Sequence, residues 1–490
     1  MHDVIIVGSS PNALAAAARL LAAKKRVLVL EPSDHLGGPV SSHEFHPGFW
    51  ADTALSSAPL HPMIEQELGL SIAVLPRRTV TVIGKAHNAS EVSVGRFQKA
   101  VLPAAFRNGT ALLQALHASP VGDLPNMTGS EAEALSMIGA QLLGLGEREM
   151  MEVLRLGFMS ARELSLELNL PFADRVALSI GSVYGLNEGP FARTNVWNYL
   201  VHEALNDGLS GPQVVGGLGR ITALLADKVR SLGGEIEMGL GPLAVDVDAG
   251  SAWGVSAGDR TVEAKRIASD LDVQRTFGQL IPPYHLEPEC LRRVRQVRYR
   301  GNVARVFIAL RKQPEFAGVG EEDLLGTLVI ANDVESIERA WDEAKRGNLP
   351  ADPPIFVTLP SRGDPSRAPT GAHVLAVTVL YVPSGWTDRS RVKEAVLRLL
   401  GEHAPGIEQW VDHVEVNLPV DLEERFSLTG GQLYGGETNL SQSFFLRSMP
   451  GCRGGCTPIE NLYLCGSTGH PPGYSGMSGW LSAGNLLATA

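Results

Sequence analysis

A tight turn, Gly8-Ser9-Ser10-Pro11-Asn12-Ala13, separates an apolar run, Val4-Ile5-Ile6-Val7, from an alanine-rich helical segment that reaches Ala23. A second apolar run, Val27-Leu28-Val29-Leu30, closes on Glu31. The pattern is strand, turn, helix, and a strand ending in an acid. Such a turn aims backbone N–H groups at a pyrophosphate from a helix N-terminus. The acid, about 20 residues on, accepts a ribose hydroxyl. Ser10 stands where glycine normally lets backbone approach the phosphates, while Ala13 satisfies the looser form of the third position. Over these residues alone, an ordinary βαβ unit with a Gly/Ser turn would look the same. Gly37-Gly38 follows within one short loop, which points to FAD rather than a free nicotinamide nucleotide.

The other end of the chain offers a second anion site. Leu462-Tyr463-Leu464-Cys465 has the pattern of a buried strand running into Gly466-Ser467, and Pro472 to Gly476 opens a last helix from Met477. Amides at a helix start such as Gly476-Met477 suit an anion or a flavin edge. His470 and Tyr474 lie between these elements and are the candidate catalytic groups. His470 either stands by the flavin or braces the turn, and Tyr474 either donates to substrate or walls the pocket. His202, on the half-apolar helical pattern of 197–205, suits a satisfied core histidine. Glu437 and Arg447 suit structural contacts near the cofactor. Cys452 and Cys456 leave open a redox pair or half a metal site, but no second pair and no nearby histidine completes a zinc set, so no metal is expected. Cys465 suits a small core residue.

The elements that must position these groups fill a chain of 490 residues, long enough for two or three interleaved domains. Hydrophobic residues at 44% against 19% charged give ample core material. A net charge of −11 provides no basic footprint for nucleic acid and opposes broad adhesion to an anionic bilayer, leaving local apolar, peripheral membrane contact open. No apolar run approaches a spanning helix, and the first strand starts too early to be a signal peptide, so a cytoplasmic protein is expected. Residues 131–145 and 147–168 carry apolar positions at helical spacing, with Met150, Met151, Leu154, Leu156 and Met159 suited either to core filling or to a plastic substrate wall. A helix is expected over 220–232, capped by Gly233-Gly234, then strands at 235–238, 243–247, 252–255 and 261–267. Strands at 303–310, 327–330, 354–359 and 374–382, with a helix at 391–403, would build the floor of a substrate domain.

Four blocks together carry a family resemblance: 3–38, 216–277, 421–450 and 457–484. The third contains Leu428-Thr429-Gly430-Gly431, Gly436-Glu437, Gln442, Phe444, Leu446-Arg447 and Pro450; the fourth runs from Thr457 to Gly466 and on to His470-Pro471. In these the chain resembles the phytoene-desaturase-like branch of the FAD-dependent amine oxidase/desaturase superfamily. The resemblance implies an α/β fold: a glutathione-reductase-type Rossmann FAD domain, discontinuous, with an inserted α+β substrate domain. The FAD domain would comprise 1–75, 210–285 and 450–490. The substrate domain would comprise 76–209 and 286–449, with a helical subdomain at roughly 129–209.

By the same resemblance, Gly8, Ser10 and Ala13, with Pro11 and Asn12 in the turn, would flank the pyrophosphate. Glu31 would hold the adenosine ribose, and Gly37-Gly38 would line the diphosphate and ribityl chain. Gly466, Ser467, Gly476 and Met477 would lie by the ribityl and isoalloxazine. Pro242 falls where the family has a valine whose amide holds the adenine, and proline has no N–H to give. Pro472 and Tyr474 replace part of a glycine run. The implied activity is oxidation or desaturation of a hydrophobic small molecule, polyene, isoprenoid or secondary metabolite, by hydride transfer to FAD. A flavoprotein isomerase, an amine oxidase, or a redox-silent protein with a degenerate flavin site are the alternatives.

Overall fold

The structure, a computed structural model, describes residues 1–77, 79–84, 87–93, 147–205, 207–443, 446–449 and 452–488. The chain opens with β1 (His2–Val7), α1 (Pro11–Ala22), β2 (Val27–Leu30), β3 (Ser42–His46), β4 (Phe49–Asp52) and α2 (Pro62–Leu68). It continues through β5 (Val74–Leu75), β6 (Thr79–Gly84) and β7 (His87–Ser93), then α3 (Glu147–Phe158), α4 (Ala161–Glu167), α5 (Phe172–Val183) and α6 (Asn195–Leu205). Next come β8 (Gln213–Val214), α7 (Gly219–Ser231), β9 (Glu235–Glu237), β10 (Leu243–Asp248), β11 (Ser251–Ala257) and β12 (Arg260–Ser269). The later chain holds α8 (Pro288–Gln296), β13 (Val303–Leu310), β14 (Thr327–Ile330), α9 (Val334–Ala344), β15 (Ile355–Thr358) and β16 (His373–Leu380). It ends with α10 (Arg389–His403), β17 (Val411–Asn417), α11 (Pro419–Phe426), β18 (Leu462–Leu464) and α12 (Met477–Ala488).

The first sheet explains how distant parts of the sequence meet. β1 runs parallel to β2 on one side and to β12 on the other, and β9 extends the sheet past β2. β12 serves several neighbours: its first half pairs antiparallel with β11, and its second half pairs parallel with β1 and β18. Leu30, Val7, Ser269 and Leu464 therefore stand in one row at the carboxyl edge. The next residue of each strand, Glu31, Gly8, Asp270 and Cys465, leaves the sheet at that edge, where ligands bind in open α/β sheets. Val4 to Val7 and all of β2 are buried, as parallel strands covered on both faces must be.

Helices α1, α7 and α12 cover one side. Alanines 15 to 18 and Gly479 permit a very close crossing of α1 and α12, because a side chain at Gly479 would strike the Asn12 carbonyl. Arg19 Nη1 donates to the Trp480 carbonyl at 2.6 Å across the same crossing.

The second sheet has the order β17-β13-β16-β15-β14-β6-β7, antiparallel except for β14 and β6. Alternation along β13 sends Ala304, Val306, Ile308 and Leu310 into a cluster with Val392, Val396, Leu399 and Leu400 of α10. Val303, Arg305, Phe307 and Ala309 take the opposite face, where Phe356 and Val329 of neighbouring strands join the core cluster that includes α1 and α5. The strands expected between 303 and 382 and the helix after them occur within a residue or two of their expected limits.

The helical stretch expected over 147–168 is two helices. Ser160 caps α4 with a reciprocal box to Glu163, so the chain breaks at 159–160 where periodicity alone continues. Of its apolar side chains, Leu156 is buried, whereas Met151 and Leu154 are exposed. The expected helix at 131–145, together with Phe444 and Pro450 of the family blocks, lies outside the described residues. Among the described residues no helix is long and apolar enough to cross a membrane.

Candidate functional site

At the carboxyl edge of the first sheet a cleft encloses about 630 Å³ of space, part of it open to solvent. Gly8, Ser9, Ser10, Glu31 and Gly38 line it from the N-terminal block, Asp270 and Asp272 from the end of β12, and Ser467 and Tyr474 from the C-terminal block. Arg425, Phe426 and Gly435 complete the wall. Both ends of the chain thus meet in one slot.

The turn is built from carboxylates and hydroxyls. Glu31 is 7% exposed and accepts from Ser9 Oγ at 2.5 Å, from the Ser33 N–H at 2.9 Å and from Ser33 Oγ at 2.7 Å. Ser9 Oγ in turn accepts from the Gly37 N–H at 3.0 Å, which ties the second glycine loop to the first. Gly8 has φ +104°, and a Cβ there would lie 2.6 Å from the Cβ of Asp270. Gly37, at φ +99°, would meet Thr222 and the Val40 carbonyl. These glycines are required by left-handed backbone and by crowding together.

Asp270 is a site residue that sequence spacing does not single out. Its carboxylate accepts from the Ser10 N–H at 2.8 Å and from Ser10 Oγ at 2.6 Å, so an internal acid sits at the N-terminus of α1. Burial pushes its pKa up to about 7, the Ser10 hydrogen bonds oppose that rise, and nearby Glu31 adds to it. The available signal is positional: Asp270 directly follows the strand beside β1, at the edge where ligands bind. Asp272 and the exposed Arg425 escape sequence reasoning for the same reason.

The remaining expected residues divide. Pro11, Asn12 and Ala13 form the buried first turn of α1, where Asn12 Nδ2 donates to the Gly473 carbonyl at 2.8 Å and Oδ1 has no partner among the described residues. Gly466 abuts the Asp270 backbone, and Gly476 with Met477 is buried, Gly476 against Leu60, Ile64 and Ala15. Pro242 is exposed and outside the cleft lining, as is half-buried His470.

Tyr474 is buried, its oxygen accepts from Ser467 Oγ at 3.2 Å, and burial raises its pKa well above that of free tyrosine. It is a neutral hydroxyl across the physiological range. His202 is buried against Asp207 at 2.8 Å and against the Tyr184 carbonyl at 3.1 Å, a satisfied core position. Glu437, fully buried, accepts both arms of Arg300 at 2.6 and 2.9 Å. Arg447 donates to the carbonyls of Gly436, Glu437, Gln442, Tyr434 and Ser467. Cys452 is buried and its thiol pKa is pushed up by burial, which disfavours the thiolate that a redox pair or a metal needs.

The cleft fits FAD. It has a glycine turn with no room for side chains, a carboxylate at the end of the second strand, and an unpartnered Asn12 oxygen behind the turn. A carboxylate beside a diphosphate is an electrostatic conflict, and at Asp270 it is relieved when that acid is protonated.

Comparison with known proteins agrees. The chain is 25% identical over 529 residues to pyridine nucleotide-disulfide oxidoreductase domain-containing protein 2 of Mus musculus, spanning 96% of this chain and 90% of that one. It is 23% identical over 545 residues to one of the subunits of limonene dehydrogenase from Castellaniella defragrans, with 99% and 94% covered. A zeta-carotene-forming phytoene desaturase of Myxococcus xanthus matches at 25% over 308 residues, 61% of this chain and 55% of that one. The crystal structure of an oxidoreductase from Methanosarcina mazei shares the fold, with a TM-score of 0.61, 17% identity and 99% of each chain covered. The model of the flavin containing amine oxidoreductases matches residues 14–490; the chain belongs to that family and is an FAD-dependent oxidoreductase.

Proposed function

We propose that this protein dehydrogenates a hydrophobic small molecule of isoprenoid type. FAD, when bound, supplies the acceptor that takes a hydride at N5. Glu31 would hold the adenosine ribose, the Gly8 turn would lie along the diphosphate, and Tyr474 would donate a hydrogen bond at the inner end of the cleft. The observation that supports the substrate class is a run of aromatic side chains behind the cleft. Tyr434, next to Gly435 in the lining, packs edge-on to Tyr184 at 6.0 Å, and Tyr184 packs edge-on to Phe356 of the second sheet at 5.3 Å. Aromatic ring faces of this kind suit a hydrocarbon skeleton. Two relatives, a component of a limonene dehydrogenase and a phytoene desaturase, are named for isoprenoid hydrocarbons.

Anaerobic mixing of the purified yellow protein with isoprenoid hydrocarbons or alcohols tests the reading. Bleaching of the visible flavin band with a dehydrogenated product is expected. Bleaching by cyclohexylamine or putrescine, with no response to any isoprenoid, would replace it with amine oxidation.

A further inference from the structure

Arg305 stands on β13 between Val303 and Phe307, on the face of the second sheet turned to the main core, and is 1% exposed. One arm donates to Thr378 and the other to the Asp52 carbonyl at 3.4 Å, while Nε has no partner among the described residues. Tyr184 and Tyr434 face the same guanidinium. Both are at most 2% exposed; Ser56 lies beside the Tyr184 hydroxyl and the two hydroxyls face each other, yet among the described residues neither makes a well-formed hydrogen bond. Three buried polar atoms are therefore left over in one place, where each costs free energy unless something pairs with it.

The charged groups around it are already engaged. Arg77, buried and donating to the Ser56 and Gly211 carbonyls, faces Arg305. The carboxylate facing both is Asp52, whose Oδ1 already accepts from Ser42 Oγ, the Leu218 N–H and Arg367 Nη2. Asp364, near Arg367, accepts from Gly216 and Ser366. Asp364, beside Arg367, and Asp207, which faces both tyrosines, supply the other carboxylates, and among the described residues neither reaches the Arg305 Nε.

We propose that Arg305, Tyr184 and Tyr434 form an anchor for a carboxylate, so that the hydrophobic substrate carries an acidic head held against the inner face of the second sheet. A guanidinium and two phenols present N–H and O–H donors to the two oxygens of a planar carboxylate. Tyr434 adjoins Gly435 of the cleft lining, so the apolar remainder of the molecule would extend toward the cleft. A diphosphate, with more charge and more acceptors, exceeds what one guanidinium and two phenols can pair. The inference rests on the apolar-substrate reading above.

The test is a titration of the FAD-loaded protein, following the flavin visible spectrum, with geranate against geraniol and retinoate against retinol. Geranyl diphosphate is the third arm. Carboxylates are expected to bind at least about tenfold tighter than the matched alcohols. Arg305→Gln should abolish that preference with flavin content unchanged, and Arg305→Lys should retain part of it. Tyr184→Phe and Tyr434→Phe, which remove only hydroxyls, should each reduce carboxylate affinity several-fold and leave alcohol affinity alone. Equal affinity for acid and alcohol overturns the anchor and leaves the apolar-substrate reading standing. Tighter binding of geranyl diphosphate than of geranate overturns the carboxylate assignment. Failure of every isoprenoid to bind overturns both readings.

Discussion

Single residues set the cofactor's grip. Glu31 holds three donors at the cleft edge, and its replacement removes a charge-assisted acceptor of the kind worth about 1.5–3 kcal/mol. Glu31→Ala should therefore raise the FAD dissociation constant by about 10- to 100-fold. Ser10→Gly, which relieves crowding but removes the cap of α1, should shift it much less. Flavin content after dialysis and titration of the apoprotein give both numbers; equal retention in wild type and Glu31→Ala would remove Glu31 from the site.

Asp270 gives a pH dependence with a definite sign. Its folded-state pKa of about 7 exceeds the ordinary aspartate value of 3.8, so its contribution to stability is fully present below 3.8 and is lost as pH rises through about 7. A diphosphate binds best beside the neutral acid, so FAD affinity should fall as pH rises past 7. Asp270→Asn should flatten that profile between pH ~6 and ~9 and tighten binding by about tenfold at the alkaline end, one pKa unit being about 1.4 kcal/mol. A wild-type dissociation constant independent of pH in that window would refute the assignment.

At the scale of elements, the site depends on how closely α1 and α12 approach. Gly479 is at their crossing, against the Asn12 carbonyl, and Gly479→Ala forces the helices apart. Overpacking of this kind costs about 1–3 kcal/mol, read as a lower denaturation midpoint, and should also loosen FAD because Asn12 belongs to the turn. The separation of α3 from α4 is a local matter: Ser160→Ala removes one side of a capping box and should cost about 1 kcal/mol without altering flavin content.

At the scale of the molecule, Arg447 joins segments far apart in sequence. Its two terminal nitrogens reach carbonyls at 434–442 and at Ser467, which fastens the loop before the last strand to the loop after it. A lysine cannot reproduce that planar fork. Arg447→Lys should lower the melting temperature of both apo and FAD-loaded protein and narrow the gap between them, because the disturbed segment lines the cleft; an unchanged gap would separate the staple from the cofactor site.

Much of this protein was legible in its sequence because the relevant signals are local. The βαβ pattern of 2–31, the capped helix over 219–231, and the alternating and continuous apolar strands of the second sheet depend on neighbours a few residues away, and they appear close to where periodicity puts them. Glu31 was visible because its spacing from Gly8 is fixed by one strand, one helix and one turn. Asp270 and the Arg305 cluster were not, because nothing nearby in sequence distinguishes an aspartate after a strand or an arginine within one. Their meaning comes from register: β12 lies beside β1, which delivers Asp270 to Ser10, and β13 presents Arg305 on a face that two tyrosines from remote loops close over. Sequence alone determined that a dinucleotide turn and its acid exist. Only the tertiary structure decided which charges share the cleft and the wall behind it, since electrostatic neighbours are set by distance in space, and parallel pairing places residues some 260 positions apart within a hydrogen bond of each other.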